Sequence, residues 1–237
     1  GDRASAKRCF ENSLETARDI GDKELQARAE GNLAIVLAIE GRFKEAEEAN
    51  KNCLMCFVEI GDNPGVARTS NNLGVLCLSR NSFKEASDYF ETSIESCRST
   101  RDQTVLGVAL VNAGHCYAKL GELDKAITRT DESVAIIREP NDMNLLAHAF
   151  RNYGLIEFRG SNLDKASEWF EKSIRTAMTS GVKDTLASCY FEYGMALIEA
   201  TVNLRLARKM LKKASSLFRD LGDLEHASLA DKKLSTA

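Results

Sequence analysis

Apolar side chains recur three and four residues apart along almost the whole chain, and the pattern itself restarts every 40 residues. Between residues 25 and 40 the apolar positions include Leu33, Val36 and Leu37. After Gly41-Arg42 a second run follows, with Phe43, Ala46, Leu54 and Phe57, and Gly61-Asp62 closes it. Three-four spacing lays a stripe along one side of an α-helix. Each period therefore predicts two amphipathic helices: helix A over about 25–40 and helix B over about 43–60. Glycine after a helix supplies the left-handed stop, and Asp after that glycine is a ready N-cap for the next helix.

The same grammar returns with the period. Helix B opens as Phe43-Lys44-Glu45-Ala46, Phe83-Lys84-Glu85-Ala86, Leu123-Asp124-Lys125-Ala126 and Leu163-Asp164-Lys165-Ala166. Turns inside the pairs fall at Gly41, Asn81, Gly121 and Gly160-Ser161. Stops between pairs fall at Gly21-Asp22, Gly61-Asp62, Arg101-Asp102, Asn141-Asp142, Gly181 and Gly222-Asp223. Small residues at 34, 74, 114, 154 and 194, facing alanines at 46, 86, 126, 166 and 207, let the two helices of a pair approach closely, with Phe90 and Phe170 filling the space beside them. A fixed period of this length means a stacked repeat protein. The expected fold is all-α: a single right-handed superhelical solenoid of antiparallel helix pairs over 1–237. Residues 1–22 form helix B of a truncated unit, 23–62, 63–102, 103–142 and 143–182 are full units, 183–223 is the last unit, and 224–237 is a C-terminal capping helix. The last unit carries one extra residue in its turn, around Ala200 to Asn203. Starting on a helix B, the chain reads as a piece of a longer protein.

A small residue after Leu or Tyr, Ala near the start of helix B and an aromatic residue one turn later resemble the tetratricopeptide repeat (TPR) signature. The usual unit has about 34 residues; the longer unit here, with its Asn-Leu-Gly phrase, resembles the LGN/Pins adaptors. It is also similar to kinesin light chain (Asn71-Asn72-Leu73-Gly74-Val75-Leu76) and to the sensor domain of MalT-type bacterial activators. The resemblance implies a superhelix whose A helices line a concave, peptide-binding groove.

One polar position keeps strict time with the apolar ones: Asn32, Asn72, Asn112 and Asn152, with Glu192 replacing the fifth. Asn inside a helix is about 0.5 kcal/mol worse than Ala, so four in one phase suggest a use. An amide side chain has a donor and an acceptor, and can pair with both groups of a peptide backbone. The resemblance assigns that role to these four; bridging between neighbouring helices is the alternative. At about 10 Å between A helices, four rungs would span about 30 Å, or about nine extended residues at about 3.3 Å each. Helical spacing adds Arg28, Arg68, Val108 and His148 four residues earlier, Gly31, Asn71, Val111 and Arg151 one earlier, and Ile35, Val75, His115 and Leu155 three later. The candidate peptide-binding set is Arg28, Asn32, Arg68, Asn71, Asn72, Asn112, His115, His148, Arg151 and Asn152. Its arginines, with Arg159, favour an acidic peptide or a terminal carboxylate, because guanidinium pairs carboxylate bidentately.

Composition narrows the classes. The formal charge of −3 argues against a general nucleic-acid binder, and no apolar run approaches the roughly 18 residues that span a bilayer. Seven cysteines include a single CxxC pair, Cys53 and Cys56, with no His nearby, too few ligands for a tetrahedral zinc site. Cys at small apolar repeat positions packs as a hydrophobe, and an odd number of thiols fits a reducing, cytoplasmic setting. No phosphate loop, nucleophile elbow or HExxH is present. The expectation is a non-enzymatic adaptor without cofactor or metal, holding an extended segment of a protein partner. A ligand-sensing or regulatory segment of a larger signalling protein and a module that self-associates through its terminal repeats are the alternatives.

Overall fold

The computed structural model describes residues 3–137 and 142–236, and among them twelve helices and no strand occur. They divide into two compact units, Gly1–Cys116 and Tyr117–Ala237. The first contains α1 (Arg3–Ile20), α2 (Lys23–Ile39), α3 (Phe43–Ile60), α4 (Asn63–Ser79), α5 (Phe83–Thr100) and most of α6 (Gln103–Leu120). The second contains α7 (Leu123–Ile136), α8 (Met143–Arg159), α9 (Leu163–Ser180), α10 (Lys183–Glu199), α11 (Leu204–Asp220) and α12 (Leu224–Thr236). Packing is most extensive within the pairs α2/α3, α4/α5, α8/α9 and α10/α11, which are the predicted A/B hairpins.

The turns repeat bond for bond. Inside the pairs, the amides of Arg42, Ser82, Glu122, Asn162 and Val202 donate to the carbonyls of Leu37, Cys77, Tyr117, Glu157 and Leu197, at 2.8 to 3.1 Å. Each bond closes a helix end around one left-handed residue. That residue is Gly41, Asn81, Gly121, Ser161 or Thr201. In the Gly160-Ser161 turn it is Ser161, in phase with Gly41, that carries the positive φ, while Gly160 has φ −76°. Between pairs, carboxylates of Asp22, Asp62 and Asp102 accept from the amides of Leu25, Gly65 and Val105, capping three A helices. Asn141 lies outside the described residues, and Asp142 makes no side-chain cap. The extra residue of the last turn delays α11 by one position, so Asn203, at φ 43°, caps it through the amide of Leu206.

Close approach of A to B explains the small residues. A Cβ placed on Gly74 would lie 2.5 Å from the Phe90 ring, one on Gly154 2.8 Å from Phe170, and one on Gly194 2.8 Å from Leu211. Phe90 and Phe170 are fully enclosed. Serines at equivalent positions of two B helices, Ser93 and Ser173, donate to the backbone carbonyls of Ala67 and Ala147, both at 2.8 Å. Six of the seven cysteines are buried and Cys9 alone is exposed. Burial pushes the thiols of Cys53, Cys56, Cys77, Cys97 and Cys189 above their ordinary value. Trp169 packs beside Tyr153 and Phe150, with the Lys172 ammonium 4.1 Å from the Phe150 ring.

Candidate functional site

The ladder residues fall on the A helices α2, α4, α6 and α8, two turns or more from either helix end, where no backbone group needs capping. In the first unit the ladder is open. Asn32 and Asn72 are exposed and Asn112 is half-buried. Beside them stand exposed apolar side chains: Ile35 at 53%, Val75 at 47% and Val108 at 36% of full exposure. Arg68 is exposed and makes no hydrogen bond or ion pair among the described residues, whereas Arg28 is paired with Glu24 of its own helix at 2.5 Å. Asn71 is half-buried, and its Oδ1 has no partner. His115 is buried and meets the Phe83 ring edge-on, with centroids 6.2 Å apart. The first unit thus presents amide groups at a 40-residue interval within a partly apolar, partly basic strip.

In the second unit the same phase is closed. Asn152 has no exposed surface, so its amide is not on display as the sequence pattern implies, and Arg151 keeps only 7%. Polar residues line the seam between α8 and α10. The Thr185 hydroxyl donates to Asn144 Oδ1, and His148 Nε2 lies 3.3 Å from Thr185 Oγ1. Part of the His148 residue is exposed, but its Nδ1 is fully shielded. Burial, reinforced by the Arg151 charge, holds the imidazole down at about 3. Glu192, the residue that breaks the ladder, is 9% exposed and accepts from Lys119 Nζ at 2.6 Å. Nearby, Arg159 pairs with Glu199 at 2.5 Å. Thr185 and Asn144 carry no mark in the sequence beyond lying on the helix faces that adjoin His148. The Glu192 partnership could have been suspected, since it is the one acid at a ladder position, but its lysine lies 73 residues away.

A surface recess in the first unit, bounded by Gly21, Asp22, Lys23, Glu24, Ile60 and Asp62, contains none of the ladder residues. Among the described residues no group of three His, Cys, Asp or Glu side chains could hold a metal ion, and no helix is long and apolar enough to cross a membrane.

Paired helices with recurring turn geometry, and close contacts of Gly74, Gly154 and Gly194 with Phe90, Phe170 and Leu211 inside three of the pairs, define a helical repeat protein. Residues 25–99 and 105–179 match the tetratricopeptide repeat family, and the chain belongs to that family. No curated protein matches the sequence. Among solved structures, the fold is similar to that of RapI in its apo form, at 17% identity and a TM-score of 0.71, covering 100% of this chain and 94% of that one. It is also similar to a Rap protein complexed with competence and sporulation factor, at 16% identity and a TM-score of 0.64, over 97% of this chain and 68% of that one. YrrB, described as a TPR protein with an unusual peptide-binding site, aligns at 18% identity and a TM-score of 0.51, over 91% and 97%. At these identities the likeness concerns the fold.

Proposed function

We propose that this chain is a protein-interaction module, without catalysis of its own, that grips an extended segment of a partner protein along the ladder of its first unit. The observation that carries this reading is the display of Asn32 and Asn72 at equivalent positions, flanked by exposed Ile35 and Val75 and by the unpaired Arg68. Buried polar ladders serve packing; amides left open to solvent in mid-helix, at a cost in helix propensity, serve a ligand. Asn32, Asn72 and Asn112 would pair with backbone groups of the segment, and the apolar residues beside them would receive alternate side chains. Three rungs cover about 20 Å at about 10 Å per helix, or about six extended residues. The exposed Arg68 biases the strip toward acidic sequences. Two structural neighbours support the reading by what they carry, a bound factor in one and a peptide-binding site in the other. The finer likeness to LGN/Pins adaptors and kinesin light chain belongs to the same reading.

The test is a peptide-display selection on the whole chain, run beside the Asn72→Ala/Asn112→Ala double variant. Enrichment of extended peptides that the variant no longer retains, with its melting temperature unchanged, is the expected result. Peptides retained equally by both proteins would remove the asparagines from the site.

A further inference from the structure

Helix α11 differs from other B helices in the charges it shows to solvent. Arg205, Arg208, Lys209 and Lys212 are all exposed, and their three-four spacing puts them on one face. None of the four makes an ion pair or hydrogen bond among the described residues. The helix holds no acid before Asp220, its last residue. On α9, by contrast, exposed Asp164, Glu168 and Glu171 are interspersed with Lys165, Lys172 and Arg175, and on α3 exposed Glu45 and Glu48 stand among Lys44 and Lys51.

This basic stripe opposes its own helix. Arg205 lies three and four residues from Arg208 and Lys209, and Lys212 lies four and three from the same two, spacings at which like charges repel. The first turn holds no acid, so the cations also face the positive end of the helix dipole. The opposite side of α11 is already packed through Ala207, Met210, Leu211 and Ala214, so the core draws nothing from the stripe. Negative charge from a partner would offset the repulsion.

The shape of the stripe selects among anionic partners. Arg205 to Lys212 covers about 10 Å at about 1.5 Å per residue, in a band one helix wide. A single-stranded nucleic acid stacks its bases on aromatic side chains, and the one aromatic residue of α11, Phe218, is buried. A duplex would overrun the band and meet exposed acids such as Glu225 of α12, which packs against α11. A lipid surface takes up apolar side chains beside the basic ones, but the exposed Leu221 and Leu224 follow the end of α11 instead of joining the stripe. An acidic helix with carboxylates three and four residues apart has the pitch of the stripe and stays within its width.

We propose that the exposed face of α11 is a docking surface for an acidic helical segment of a partner protein, its carboxylates set against Arg205, Arg208, Lys209 and Lys212. The surface belongs to a B helix, whereas the ladder belongs to A helices, and the assignment does not rest on the ladder reading.

The experiment is fluorescence anisotropy on the whole chain with a labelled, acetylated and amidated peptide made of three repeats of Ala-Glu-Ala-Ala-Glu-Ala-Ala. Its Gln-for-Glu counterpart is the control; a duplex oligonucleotide and phosphatidylcholine vesicles containing phosphatidylserine are competitors. Saturable binding of the Glu peptide is expected, weakened by rising salt and by about tenfold or more in Arg208→Glu/Lys212→Glu. That reversal relieves the repulsion along α11, so the variant should melt no lower than the parent chain. Equal binding by parent and variant, equally tight binding of the Gln peptide, or displacement by duplex or vesicles at lower charge concentration than unlabelled peptide overturns the proposal. So does growth in particle size with concentration of the protein alone that the reversal abolishes, since the stripe would then serve a second copy. Should the variant not fold, acetic anhydride footprinting of the parent decides. The Glu peptide should shield Lys209 and Lys212 more than Lys165 and Lys172, and equal shielding overturns the proposal. The Asn72→Ala/Asn112→Ala variant should bind the Glu peptide as the parent does; loss there would move the peptide to the ladder and overturn the assignment to α11.

Discussion

Five described residues other than glycine hold a positive φ: Asn81, Arg101, Ser161, Thr201 and Asn203. Asn tolerates this region, but other side chains pay about 1 kcal/mol or more. Replacing Arg101 or Ser161 with Gly should therefore raise stability by about 0.5–1 kcal/mol each, seen as a higher urea midpoint at unchanged slope. Ser161 also shows the limit of reading by residue type. The turn at Gly160-Ser161 contains a glycine, yet the left-handed residue is Ser161, because the closing bond from Asn162 to Glu157 fixes the geometry by register. His148 gives a pH signature. Its folded value near 3 lies below the ordinary 6.5, so the unfolded chain binds more protons between those limits. Its contribution is then complete above about pH 6.5 and is lost as the pH falls toward 3. Urea melts at pH 7, 5.5 and 4.5 should show a steeper acid loss in the parent chain than in His148→Gln. Parallel slopes would sink this assignment.

At the level of the helix, the capping aspartates and the close contacts carry separable energies. Asp62→Ala removes the bond to the Gly65 amide and should cost about 1 kcal/mol. Gly74→Ala forces a methyl against the Phe90 ring, and overpacking of this kind costs about 1–3 kcal/mol. Chemical denaturation of both variants gives the order, with Gly74→Ala the more damaging; the reverse order would mean that the ring moves aside freely. Helix limits were legible because apolar spacing, small residues and turn residues all repeat in one register: helix B of the second repeat runs over Phe43–Ile60 as predicted. The ladder was legible only as a phase. Periodicity places Asn32, Asn72, Asn112 and Asn152 on equivalent faces, but burial depends on what neighbouring helices contribute. That term has no period, so Asn152 is enclosed while Asn72 is open.

The whole chain is asymmetric in its chemistry. The first unit carries open amides and exposed apolar side chains, while the second carries enclosed polar groups and the Arg151 charge. Thiols divide unevenly as well: Cys9, Cys53, Cys56, Cys77, Cys97 and Cys116 belong to the first unit, and Cys189 is alone in the second. A buried thiol reacts with an alkylating reagent only when its surroundings open. Cys9 should therefore be modified at once and the remaining six slowly, at rates set by local unfolding. Mass spectrometry of peptides after timed exposure would read those rates, and the Cys189 peptide would time the second unit by itself. The native cysteines make the chain its own opening clock, with one hand for each unit and no added label.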